Sequence, residues 1–319
     1  MSAEQEIVHV VIAILRNKNE VLVSRRRSDT HLGGLLEFPG GKVEQNESPF
    51  SALQREIKEE LNVEIINASP LIQIPFNYSD RKILLDTYLV DEYIGKVNGQ
   101  EGQEICWQSI EALRPDEFPA ANYGVIQALQ LPRIFSVTPD YSEDSENFLS
   151  NFENVVRKES TQIIQLRSHN LNRSDYMDLS KQCAELCNKH SVKLILNRDV
   201  DEFDGALSSG LHLTSDRLLN AKRRPLNKPY LVGASCHNAK EIECANRLKL
   251  DYIFIGPVIE KNHSKNNMKL DWSGFAALSH KSEAPVYAIG GLNKSDLDKS
   301  IQHGGQGIAA IREFWSESD

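Results

Sequence analysis

With 319 residues, 40% hydrophobic and 25% charged, the chain reads as one large or two ordinary soluble globular domains. A net charge of −9 argues against stable nucleic-acid binding, and no apolar run is long enough to cross a membrane. The five cysteines and the absence of a basic-then-apolar leader in MSAEQEIVHVV lead us to expect reduced thiols and a cytoplasmic location.

Residues 7–15 (IVHVVIAIL) are apolar and β-branched, and are predicted to be a strand that returns through residues 21–25. Arg25, Arg26 and Arg27 follow, either as a solvated edge or as a grip on an anion, and a polar loop covers residues 28–34. LLEFPGGKVE is a short strand broken by Pro39, Gly40 and Gly41, where the glycines permit positive φ or close approach of backbone to a ligand. Ser48 then offers an N-cap with Pro49 at the first helical position, and the helix runs to about Leu61.

On that helix, Phe50, Leu53, Ile57 and Leu61 form the stripe expected to be buried. Glu56, Glu59 and Glu60 fall on a second face, with Arg55 placed four residues before Glu59 to pair with it. Like charges at Glu56 and Glu60 oppose the helix, so the cluster suits a hard divalent cation better than a merely solvated face. Strands are expected at residues 71–75, 82–90 and 105–107, with Asp80 and Arg81 in a turn, a polar loop at 95–102, and a loop at 116–122 leading into a helix at 123–129.

The boundary is expected near Leu131, Pro132 and Arg133, giving domains at residues 1–130 and 131–319. Beyond it, strand and helix alternate. Strands are expected at 134–138, 163–166, 192–197, 210–213, 230–234, 252–256, 286–289 and 307–311, with helices such as 174–190 and 238–248 between them. Eight strands in under 200 residues indicate a (β/α)₈ barrel, with a doubly wound open sheet as the alternative.

Gly41, Glu47, Arg55-Glu56-Ile57, Glu59-Glu60 and Val63 resemble the Nudix box, apart from Asn62 where that motif has glycine. LEFPGGKVE, the arginine pair with His31, Asp80-Arg81, NGQEGQ, Trp107 and DEFPAAN extend the likeness to MutT-type 8-oxo-dGTP diphosphatases. The resemblance implies an α/β/α sandwich around a mixed sheet. It implies Mg²⁺, with Mn²⁺ as its substitute, held by the Gly40 carbonyl and by Glu56, Glu59, Glu60 and Glu101. Phe38 and Asn122 would contact the oxidised purine, Arg26 would lie near the phosphates, and Arg81 and His31 would close the loops. Water would attack the β phosphorus of a nucleotide and release a nucleoside monophosphate and pyrophosphate, with Glu56 and Glu101 both open as the proton acceptor.

In the second segment IIQLRS, LILN, GLHL, VGASCHN, DYIFIGPV and VYAIGGL resemble thiamine phosphate synthase and its relative TenI. This likeness implies a ligand site at Gln165, Ser235, Lys265, Gly290 and Gly291 for a phosphorylated thiamin-type molecule. Three departures bear on activity: Arg198 stands where the synthase has a metal-binding aspartate, the second acidic position is altered around Asp216, and Arg312 replaces a serine. The expected function is therefore hydrolysis of 8-oxo-dGTP beside a barrel of degenerate activity. The alternative is a thiamin-pathway enzyme in which the first segment cleaves a thiamin-related pyrophosphate.

Overall fold

The computed structural model describes residues 7–27, 32–141, 145–259 and 270–315, and divides the chain into two compact units, Met1–Leu131 and Pro132–Asp319.

In the first unit β1 (Ile7–Asn17) is the centre of a mixed sheet, paired in parallel with β6 (Lys82–Ile94) and antiparallel with β2 (Glu20–Arg25) and β4 (Gly40–Lys42). The order runs β3 (Leu36–Glu37), β2, β1, β6, β5 (Glu64–Asn77), with β7 (Ile105–Ser109) paired to β2. Helix α1 (Pro49–Leu61) covers one face and α2 (Tyr123–Gln130) the other. Alternation along β1 explains why both faces are covered. Val11, Ala13 and Leu15 pack with Leu53, Ile57 and Leu61 of α1, whereas Ile12 and Ile14 pack with Val125 and Ile126 of α2.

Both ends of α1 are set by local chemistry. The Ser48 side chain accepts from the Ser51 N–H, and Asn62 adopts the left-handed conformation (φ 56°, ψ 33°) while its N–H donates to the Lys58 carbonyl. One residue departs from the expected stripe. Phe50 is 38% exposed and Ala52 is buried in its stead, so the buried stripe begins at Ala52. Strand β5 is longer than expected because residues 64–70, rich in turn formers, are carried along β6 with register shifts between Ile65 and Asn67, Asn67 and Ala68, and Pro70 and Ile72.

The second unit is a closed parallel barrel of eight strands: β8 (Ile134–Val137), β9 (Ile163–Leu166), β10 (Lys193–Leu196), β11 (Gly210–Leu213), β12 (Leu231–Cys236), β13 (Tyr252–Ile255), β14 (Val286–Ile289) and β15 (Gly307–Ala310). Closure excludes the open-sheet alternative. Residues alternate along each strand: Leu211 and Leu213 join the large core between strands and helices, while His212 between them packs on Tyr252 and Phe254 in the lumen. Phe135 and Tyr287 complete this aromatic filling, so the barrel is solid rather than a pore.

Candidate active site

Two glycines bring β4 against α1. Gly40 (φ +149°) has the β1 backbone where a Cβ would sit, and a Cβ on Gly41 would overlap the Glu56 carboxylate. Glu56 therefore lies directly on the turn. Arg55 fixes it there: its Nη1 donates to Glu56 at 2.7 Å, its Nε and Nη2 clamp Glu47 at 3.0 and 2.9 Å, and Nη2 also reaches the Lys42 carbonyl at 3.0 Å. The Glu59 contact expected from four-residue spacing is the longest of the set, at 3.5 Å, and Glu59 is well exposed. Bidentate geometry to Glu47 and the short bond to Glu56 take precedence.

Glu60 is the most perturbed carboxyl in the cluster. It accepts from the Gly40 N–H at 3.2 Å, but burial, assisted by the negative charges of Glu37, Glu101 and Glu56, pushes its pKa up to about 8. Those neighbours show that four carboxylates share one electrostatic neighbourhood. The loop carrying Glu101 is strapped to the end of α1. The Gln100 N–H donates to the Glu60 carbonyl at 2.9 Å, and Gln103 donates to that same carbonyl at 3.3 Å while accepting from the Glu101 N–H.

Beside this cluster lies a pocket of about 200 Å³ whose wall includes Gly40, Glu37, Phe38, Tyr78, Ala121 and Asn122. Phe38 is buried and stacked on Phe118, with ring centroids 5.1 Å apart. Asn122 is 7% exposed, and its buried Oδ1 has no hydrogen-bond partner. Arg26 and Arg81 also line the pocket, Arg26 paired with Glu37 and Arg81 with Asp80 at 2.7 Å.

At the carboxyl ends of the barrel strands the acidic groups are in a different situation. Arg198 donates to Glu202 at 3.0 Å and to the Leu171 carbonyl at 3.1 Å, with its guanidinium 4.4 Å above the Tyr176 ring. Arg217 pairs with Asp199, and Arg167 pairs with Asp140 at 2.7 Å. Deeper in, His212 lies between Ser235 Oγ at 2.9 Å and the Tyr252 hydroxyl at 3.3 Å, and burial drives its pKa down to about 3, so it is neutral. Gln165 is buried on β9 with Oε1 lacking a partner, and Gly290 and Gly291 both have positive φ.

The thiamine monophosphate synthase family model matches residues 134–314, more than half the chain, and the NUDIX domain model matches residues 10–128. The 8-oxo-dGTP diphosphatase of Escherichia coli is 38% identical over 124 residues, covering 39% of this chain and 96% of that protein. The chain belongs to both families. The 8-oxo-dGTP diphosphatase of Haemophilus influenzae is 37% identical over 127 residues, covering 40% of this chain and 93% of that protein. A thiamine-phosphate synthase of Fusobacterium nucleatum subsp. nucleatum is 28% identical over 188 residues, covering 59% of this chain and 91% of that protein. The first unit is thus a Nudix hydrolase, and the second a barrel of the thiamine monophosphate synthase family.

Nudix hydrolases generally use divalent cations. Among the described residues, no three acidic, histidine or cysteine side chains are grouped so as to hold a metal ion. The donor chemistry nonetheless fits one. Glu60 is desolvated among three other carboxylates, and among the described residues no lysine or arginine pairs with it, so a hard cation would relieve its burial. The barrel mouth does not fit one, because Asp140, Asp199 and Glu202 are each neutralised by an arginine.

The structure brings Gly40, Glu56 and Glu60 together with Glu101 in electrostatic reach, and gathers Arg26, Phe38, Arg81 and Asn122 at the adjoining pocket. It leaves Glu59 on the exposed side. His31 and Lys265 lie outside the described residues. Sequence reasoning passed over Glu37 and Tyr78. The first had a signal, since an acid within LEFPGG beside an arginine strand end is a natural partner for Arg26. The second had none.

Proposed function

We propose that the Nudix unit hydrolyses 8-oxo-dGTP to 8-oxo-dGMP and pyrophosphate with bound Mg²⁺. The observation that carries this reading is the buried, unpartnered Asn122 Oδ1 in a pocket that reaches the Gly40 turn of the carboxylate cluster. An acceptor buried without a donor costs about 1–3 kcal/mol. Guanine offers a second acceptor at N7, whereas the 8-oxo form carries N7–H and satisfies Oδ1. The expected discrimination is therefore roughly 10- to 100-fold. Phe38, stacked on Phe118, supplies an apolar wall for the base.

The Gly40 carbonyl and Glu56, Glu59, Glu60 and Glu101 are the groups that would hold the ion. When bound, Mg²⁺ would supply charge neutralisation on the phosphate oxygens and lower the pKa of water. The chain's own residues do the rest. Arg55 holds Glu56 on the glycine turn, and Glu56 or Glu101 takes the proton of the attacking water. Arg26 and Arg81 orient the phosphates by exchanging an internal carboxylate for the substrate. The deciding experiment is pyrophosphate release from 8-oxo-dGTP, dGTP and thiamin pyrophosphate with and without Mg²⁺. Equal turnover of dGTP and 8-oxo-dGTP, or a preference for thiamin pyrophosphate, would refute the reading.

For the barrel, the reading is a ligand-binding domain that has lost synthase turnover. The support is the arginine pairing of Asp140, Asp199 and Glu202, beside an unpartnered Gln165 that can still take a donor from a phosphorylated thiamin-type ligand. Formation of thiamin phosphate from the two synthase substrates would overturn it.

A further inference from the structure

We infer that the Tyr78 hydroxyl is a specificity-determining group that donates to the oxygen on C8 of the oxidised purine. The inference rests on the nucleotide reading above. Tyr78 directly follows β5, and its N–H donates to the Arg81 carbonyl at 2.9 Å, which fixes the turn. Its half-buried ring packs edge-on against Phe76, with centroids 4.8 Å apart. Burial keeps the phenol protonated, and the Ala121 backbone N–H is directed at its oxygen, with Arg26 and Arg81 nearby. These three neighbours line the same pocket as Tyr78 itself.

With that N–H directed at its oxygen, the hydroxyl has its one hydrogen left to donate. Among the described residues, no protein acceptor takes it. Ala121 is followed by Asn122, so the hydroxyl and the carboxamide stand on one stretch of wall. The carboxamide offers a donor and an acceptor; the hydroxyl adds a second donor. The oxidised guanine edge presents C6=O, N7–H and C8=O, which is acceptor, donor, acceptor. Asn122 answers the first two, and the C8 oxygen requires a further donor. Arg26 and Arg81 are the other donors at the pocket, but they are assigned above to the phosphates, and each faces a carboxylate, Glu37 and Asp80. Tyr78 is the neutral group left to read the atom that distinguishes an oxidised base from an intact one.

The test is Tyr78→Phe in the full chain, which keeps the ring and its packing on Phe76. kcat/KM for 8-oxo-dGTP should fall about three- to tenfold while kcat/KM for dGTP, which lacks the C8 oxygen, stays within twofold. An equal fall on both substrates would assign the hydroxyl to the shared C6 oxygen and overturn the inference, as would no fall on either. A wild-type protein with no preference for 8-oxo-dGTP would instead sink the nucleotide reading, and this inference with it. A preference retained in full by Tyr78→Phe would remove the inference alone.

Discussion

Acidic side chains gather in both units, and what stands beside them differs. On α1, Glu60 is surrounded by Glu37, Glu56 and Glu101, and pays for burial with a pKa pushed up to about 8. At the barrel mouth Asp140, Asp199 and Glu202 each have an arginine. Arg26 and Arg55 pair with Glu37 and Glu56, but among the described residues no lysine or arginine pairs with buried Glu60, so this cluster demands charge from outside, whereas the three barrel-mouth carboxylates are each matched. The retained fold of the barrel therefore says little about retained chemistry, while the strain of the Nudix cluster says a good deal.

The sharpest way to break this contrast is to remove one carboxylate from the α1 cluster. Glu56→Gln keeps shape and removes charge, and kcat for pyrophosphate release should fall by roughly a thousandfold or more, with far-UV circular dichroism unchanged. A loss under tenfold would mean that the cluster is not where charge is neutralised. Arg55→Lys should follow with a smaller loss, about 10- to 100-fold in kcat, because a single ammonium cannot hold Glu47 and Glu56 at once. Steady-state kinetics at saturating Mg²⁺ would check it.

Much of this site was legible because it is local. Ser48, Pro49 and Asn62 delimit α1 from within, and the acidic face follows from helical spacing. The barrel was legible for the same reason, since each strand and helix is a short consecutive unit. What escaped depends on distant partners. The Arg55 contacts favour Glu47, eight residues away on the chain, over the i+4 neighbour. Residues 64–70 are strand only because β6 carries them. Tyr78 belongs to the pocket only because the segment at Ala121, 43 positions on, folds against it.

Selectivity is the next test in size. Asn122→Ala should cut the ratio of kcat/KM for 8-oxo-dGTP over dGTP by about 10- to 100-fold, since the truncated pocket no longer holds an acceptor that only the oxidised base satisfies. A uniform loss on both nucleotides would make Asn122 a structural residue of the α2 entrance and not a reader of the base.

The smallest effect is on the paired side of the comparison, and it is a stability effect. Arg198 is 8% exposed, and its guanidinium serves Glu202, the Leu171 carbonyl and the Tyr176 ring. Truncation by Arg198→Ala leaves the Glu202 carboxylate, whose side chain is 13% exposed, without its cation. The cost should be about 3 kcal/mol, read as an earlier urea midpoint of the barrel transition, with Nudix turnover retained. Arg198→Asp places two carboxylates side by side and should cost more again unless an ion neutralises them. Added Mg²⁺ that restored the Arg198→Asp midpoint, with no effect on wild type, would mean that this mouth is one charge reversal away from a metal site. No restoration would mean that Asp199, paired with Arg217, and Glu202 stand in positions no longer suited to a cation.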